Sequence, residues 1–418
     1  TSSAASDVYK RQEYGIYFSY NKGTNWLKLS AGAPTISFRD IELHPRDNDL
    51  VGATFGRGFY ILDDYTPLRT LGKVVKNKIS TLFPVRDAWW YVPSVPMQAK
   101  GMPGQGSTSF VTENPPYGAV FSYYLDAIPE TLKETRQTAE KKARENNVST
   151  PFPGWEKLEK ESNQEKPQVL LLVCDSNKTP IRWIKGKAAK GLHRVNWDLK
   201  LSPPDPIDLS QPDFVPPWAG EAEGPLAAPG SYSVQLYMLT TDGLKELGLP
   251  QEFNLKPTPN NSATIDFAEV AKFQQHTNLL LKNMYGLSSK IVEDNNRLRY
   301  MKAALIETPQ ATEELFSGLQ TLNTKLNNLR ERLYGNRIKN KFNEATTPSI
   351  MSRAGSVAYG HWGTRQMPTK TQRDNIAIAE TDFRTFKIDV KAYFDELMQY
   401  EAKLQAAGAP YTPGRALD

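Results

Sequence analysis

Gly15–Ser30, GIYFSYNKGTNWLKLS, and Ile36–Asp64, ISFRDIELHPRDNDLVGATFGRGFYILDD, decide how the rest of the chain is read. In the first, a strand over Gly15–Ser19 meets a tight polar turn, and Asn25–Leu29 returns. Asn21 is placed to bond turn N–H groups through its side chain, and Gly23 to adopt a positive φ. Trp26 opens the return strand and can pack its indole under the turn. In the second stretch Asp40–His44, Leu50–Thr54 and Phe59–Leu62 read as three strands. They are joined by turns at His44–Asp49 and Gly56-Arg57-Gly58. Short strands with short turns predict successive antiparallel meanders.

The octapeptide Ser19-Tyr20-Asn21-Lys22-Gly23-Thr24-Asn25-Trp26 resembles the Asp-box, or BNR repeat, Ser-x-Asp-x-Gly-x-x-Trp, of sialidases, sortilin-type propellers and several glycoside hydrolases. Ser19, Gly23 and Trp26 match, and Asn21 stands where the motif has Asp. The resemblance implies a structural brace on a hairpin, with the two stretches forming the tail of one β-propeller blade and most of the next. Residues 13–80 are then the last blades of such a propeller, with earlier blades outside this chain. Successive turns of an up-and-down blade alternate between faces, and in Asp-box families the ligand face lies opposite the boxes. Arg57 falls on that face, placed to meet an anionic or sugar ligand or else to be solvated.

The 418 residues carry 51 basic and 46 acidic side chains, a net charge of +5, with 39% hydrophobic and 11% aromatic content. That length suits about two to four domains with real cores. The near-balance of charge, without a basic tract, gives no reason to expect nucleic acid. The longest apolar run, Val169–Cys174, is too short to cross a bilayer. One cysteine, Cys174, leaves no internal disulfide, and its strand context reads as a small buried apolar residue. Residues 1–12, TSSAASDVYKRQ, have no pattern of their own and are set aside as an artefactual leader.

After Asp64, Leu68–Leu71 reads as a closing strand. Residues 81–108 form a Pro- and Gly-rich strap, in which Trp89, Trp90 and Tyr91 either stack on a sugar ring or anchor the strap. A second domain, 109–260, has strand candidates at Ala119–Leu125, Gln168–Asp175, Pro180–Lys185, Gly191–Leu199, Ser231–Leu239 and Glu252–Leu255. Its GLHRVNWDL and APGSYSVQLYML resemble the Ig-like module of flagellar hook-capping proteins, which implies an antiparallel β-sandwich with Trp183, Trp197 and Tyr232 in its core. An insertion at 129–166 is charged and helical, with Thr131-x-x-Glu134 as a capping pair. The Pro-rich excursion 202–229 carries Trp218 as a cover for an edge.

The third region, 264–408, has the clearest periodicity. Asp266 caps a helix whose apolar residues include Val270, Leu280, Met284, Ile291, Leu298, Met301 and Leu305. Thr308-Pro309 starts a second helix with a seam at Leu315, Leu319, Leu322, Leu326, Leu329 and Leu333, ended by Gly335. A third runs from about Thr371 through Ala379, Phe383, Phe386, Val390, Tyr393, Leu397, Tyr400 and Leu404 to Gly408. Three seams predict a three-helix left-handed bundle. Polar interruptions at Thr277, Asp294 and Glu401 favour an intramolecular one. The connection 336–370 is a strap anchored by Trp362, or a ligand surface of Arg353, His361 and Trp362. Residues 409–418 are a tail. The fold class is therefore multidomain α+β: incomplete β-propeller blades, an Ig-like sandwich and a helical bundle.

The four histidines, His44, His193, His276 and His361, are scattered, so neither a metal site nor a cofactor is expected. Asp63 and Asp64 are adjacent and diverge, unlike a glycosidase pair; Asp40 and Glu42 could line a channel. No catalytic residue is assigned, and the ligand-binding candidates are Arg57, Trp89 and Trp90. The order FGRGFYILDDYTPLR, ENPPYGAVFSYYL, GLHRVNWDL, APGSY, a heptad pair and GAPYTPGR resembles the C-terminal part of large secreted bacterial proteins labelled glycosyl-hydrolase-like, BNR-repeat or sortilin-type propellers. That resemblance implies an exported protein, periplasmic, cell-surface or extracellular. Two readings stay open: a non-catalytic support for glycan processing, or a non-enzymatic platform that binds peptide or glycan.

Overall fold

The computed structural model describes residues 8–12, 15–29, 32–93, 114–210, 214–216, 220, 222–259 and 265–415. It is mixed α+β and divides into two units, Thr1–Leu199 with Pro229–Pro259, and Lys200–Ala228 with Asn260–Asp418. Most of the strap 81–108, and Trp218 with it, lies outside the described residues.

In the first unit, β1 (Val8–Gln12), β2 (Gly15–Ser19) and β3 (Leu27–Leu29) form one antiparallel sheet in that order. Part of the stretch set aside as a leader is thus a strand, with Val8 opposite Ser19 and Gln12 opposite Gly15. Its pattern is weak because β2 supplies the pairing. A second sheet runs β4 (Phe38–His44), β5 (Asp49–Thr54), β6 (Phe59–Leu62). Leu68–Leu71 does not close it as a strand but lies in α1 (Thr66–Lys76). Pro67 in the first helical turn fixes φ for a helix start, and Leu68 and Leu71 are three apart on its buried side. Ile16 and Phe18 from β2, Phe38, Leu50, Leu68, Leu71, Phe83 and Tyr124 share one core.

Two further sheets follow. One has the order β11 (Pro180–Gly186), β10 (Gln168–Asp175), β13 (Gly230–Thr240), β14 (Gly243–Pro257), β8 (Ala88–Trp90). The other runs β12 (Gly191–Trp197), β9 (Ala119–Leu125), β7 (Thr81–Leu82). Pairing is antiparallel except for β14 with β8. Alternation sends Val169, Leu171 and Val173 of β10 and Val234, Leu236 and Met238 of β13 inward, with Leu171 opposite Leu236. Aromatic rings join the two sheets: Phe121 meets Phe253 at 5.5 Å and Trp197 meets Tyr232 at 5.4 Å. Burial, with the charge of Asp175, pushes the Tyr232 phenol up to about 12.

Trp183 is a correction. It is 46% exposed, because Ile184 rather than Trp183 sits opposite buried Leu171. It rests on Tyr237 at 5.3 Å on the outer face. Cys174 is half-buried rather than enclosed.

The charged insertion holds α2 (Leu132–Glu145) and α3 (Trp155–Asn163). The Thr131 and Glu134 side chains form a reciprocal capping box. Neither helix buries a residue; Arg136 bridges them through Glu161 at 2.8 Å and pairs within α2 with Glu140 at 2.7 Å.

The second unit contains α4 (Phe267–Ile306), α5 (Glu313–Tyr334), α6 (Arg337–Lys341), α7 (Ile350–His361) and α8 (Lys370–Ala406). Every leucine of the α5 seam is buried. The helix starts four residues later than Thr308-Pro309 predicts. Thr312 caps it by accepting the Leu315 N–H, with Glu313 and Glu314 against the helix dipole. The connection 336–370 is not a strap. α7 inserts Ile350, Ala354, Val357 and Ala358 into the same core as the other seams and buries His361 as well, so four helices share it. Gly355 and Gly360 dilute that pattern in the sequence.

The surface proposed for Arg353, His361 and Trp362 does not form. His361 is 2% exposed, its Nε2 faces the Gln366 carbonyl at 2.9 Å, and burial pushes its pKa down, keeping it neutral. Trp362 packs against the core, and Arg353 donates to Asn375 at 2.8 Å. Among the described residues no helix is long and apolar enough to cross a membrane.

Candidate functional site

The turn between β2 and β3 is held by side chains from within its own eight residues. Ser19, 1% exposed, accepts the Gly23 N–H on Oγ at 2.7 Å and donates to Asn21 Oδ1 at 3.1 Å. Asn21 Oδ1 also accepts the Asn25 N–H at 2.8 Å. Trp26 closes the loop by donating Nε1–H to the Gly23 carbonyl at 3.0 Å. Gly23 takes φ 88°, where a side chain would be strained. A carboxamide oxygen does here what a carboxylate oxygen would, since both accept two N–H or O–H groups. All of this is bracing chemistry: each of these four hydrogen bonds ends on the turn itself.

The three ligand-binding candidates fare differently. Arg57 is exposed in the β5–β6 turn, free to meet solvent or a ligand. Trp89 is half exposed on β8. Trp90 is 4% exposed, so it is a core residue and cannot offer a face to a sugar. The alternation of β8 separates the two tryptophans to opposite sides of one strand. Asp40 and Glu42 are exposed, and Asp40 Oδ1 accepts the Ile41 N–H at 3.0 Å.

A charged cluster forms instead around the β4–β5 turn and the β6–α1 loop. Asp49 Oδ1 accepts the Asp64 N–H at 2.9 Å and faces Arg86 Nη1 at 3.3 Å. Arg86 also donates to the Asp47 carbonyl at 2.7 Å. From β12, Arg194 donates Nη1–H to the Asp63 carbonyl at 2.6 Å and Nη2–H to that of Asp64. Asp64 sits at φ 45° and accepts the Thr66 N–H at 3.1 Å. Burial, reinforced by Asp49, pushes the Asp63 carboxyl up; burial pushes the Arg194 guanidinium down. Most arginine bonds here end on backbone carbonyls, so the cluster fixes a loop.

Next to it, His44, Asp47 and Asp49 each offer a ligand atom within 4.8 Å of the others. An N,O,O set of this kind suits a first-row divalent cation. Arg46 lies 2.8 Å from Asp47 Oδ2, and Arg86 approaches Asp49. Two guanidiniums already offset the two carboxylates, which works against a dication. The arginine contact dominates in pulling the Asp47 pKa down. His44-x-x-Asp47-x-Asp49 is a local signal that counting histidines passes over.

No family model, curated protein or solved structure matches the chain.

Proposed function

We propose that this chain is a non-catalytic part of an exported Asp-box propeller-type protein, supporting glycan processing by propeller blades outside it. The observation that carries the reading is the Ser19–Asn21–Gly23–Trp26 brace on a β-hairpin. Its contacts reproduce the mechanical role that the motif's residue types imply. Two successive three-stranded antiparallel sheets, the first of which contains that hairpin, add support, as blade segments of an up-and-down propeller. The strands β7–β14 and the helices α4–α8 are then supporting modules.

The alternative, a platform for peptide or glycan, draws on Arg57 and Trp89, both accessible. A glycosidase panel and a glycan array, run on this chain and on the longest natural polypeptide that contains it, separate the readings. Turnover by the longer polypeptide and none by this chain fits the first. Glycan binding without turnover by either fits the platform, and turnover by this chain alone overturns both.

A further inference from the structure

The GAPYTPGR segment has no part in the proposed function, yet it lies on the most unusual polar cluster of the helical unit. Asp294 of α4 is 0% exposed. Its Oδ1 accepts from Arg297 Nη1 at 3.1 Å and Lys290 Nζ at 3.2 Å. Arg297 Nη2 crosses to Glu401 Oε2 of α8 at 2.7 Å. Two carboxylates and two cations make this network electrically neutral, so it calls for no further ion. It is nonetheless incompletely bonded. Asp294 Oδ2, Glu401 Oε1, Tyr393 Oη and Thr412 Oγ1 are all buried without a partner.

The chain after α8 covers it. The Ala409 N–H bonds the Leu404 carbonyl at 3.2 Å, turning the segment back. Ala409 packs on the helical core, and Thr412 is 3% exposed. Gly414, at φ 88°, is so close to Arg297 that a Cβ there would fall 3.2 Å from its Cδ and Nε. Arg415 locks the turn, donating its N–H to the Thr412 carbonyl at 3.2 Å and Nη1–H to Pro410 at 3.2 Å, with its guanidinium over Tyr411.

We propose that Ala409–Arg415 is a latch that seals the Asp294–Arg297–Glu401 network from water and makes this end of the helical unit a two-state element. Two effects oppose each other. A dry site strengthens the ion pairs, whereas unbonded buried oxygens raise its free energy and would be relieved by hydration. The latch bears on that balance because Gly414 lies directly against the Arg297 side chain.

A double-mutant cycle tests this. Gly414→Val is made in the wild-type chain and in one carrying Asp294→Leu, Arg297→Met and Glu401→Leu. Strain at a positive φ is common to both backgrounds and cancels. The latch predicts a drop in Tm at least about twice as large with the network present as without it; equal drops overturn it. Salt response and hydrogen exchange give a second reading that does not need the triple variant to fold. Raising NaCl from roughly 0.05 to 1 M leaves a sealed pair unscreened but weakens a hydrated one. Gly414→Val therefore loses Tm with salt relative to wild type, and exchange rises about tenfold on the α4 and α8 turns beside Asp294 and Glu401. Thr312→Ala, which removes the α5 cap, serves as a destabilised control with the wild-type salt response. If Gly414→Val behaves as that control does, the segment only packs and does not seal.

Discussion

Trp197→Ala is expected to lower the stability of the strand-rich unit by about 3–5 kcal/mol, the range for removing a large aromatic from a packed core. Trp197 is 1% exposed. It meets Tyr232 at 5.4 Å and Phe253 at 6.3 Å, both on the facing sheet. Truncation therefore removes burial, leaves a cavity between two sheets and breaks two edge-to-face ring contacts. Trp183→Ala makes the matching control. Half exposed and lying on Tyr237 of its own sheet, it should cost no more than about 1 kcal/mol. Urea titrations of the two variants check the contrast, and equal costs would mean that the inner face is wrongly assigned.

Arg297→Met is expected to cost the helical unit about 3–5 kcal/mol, because one change strands two buried carboxylates. Glu401 loses its partner at 2.7 Å, and Asp294 keeps only Lys290. Replacing Asp294, Arg297 and Glu401 together by apolar residues should restore most of that loss. Buried ion networks of this size are often no more stabilising than apolar side chains of similar volume. The comparison of urea midpoints separates a cost of stranding charge from a cost of lost packing: lost packing would leave the triple variant at least as unstable as the single one.

Where the sequence speaks clearly, the interaction is local or periodic. The brace at Ser19–Trp26 was legible because its partners lie within eight residues. The α5 seam was legible because spacing by four and three has one reading. The strand β13 announces itself by alternation at Tyr232, Val234, Leu236 and Met238, and β10 by its apolar run. Of β14 only the Glu252–Leu255 end does so: Gly243–Gln251 is mostly exposed, and its pairing with β13 is what makes it a strand. α7 was hidden by two glycines and by small residues that look like loop, although Ile350, Ala354, Val357 and His361 keep helical spacing.

The candidate site was less legible for a physical reason. Arg194 reaches Asp63 across 131 positions of sequence, and Arg86 reaches Asp49 across 37. No pattern within a window contains such pairs. Trp90 and Trp183 show the converse problem. A tryptophan in a strand is as suited to a core as to an exposed face, and only the register decides which side it takes.

The central claim rests on the turn, and hydrogen exchange at two of its amides tests it most directly. The Gly23 and Asn25 N–H groups, bonded to Ser19 Oγ and Asn21 Oδ1, should exchange slowly in the wild-type chain. Asn21→Ala should release Asn25 and cost about 1 kcal/mol, while Asn21→Asp, restoring the motif's usual residue, should keep both amides protected. If both amides exchange at the unprotected rate in the wild-type chain, the hairpin is not braced and the propeller reading falls with it.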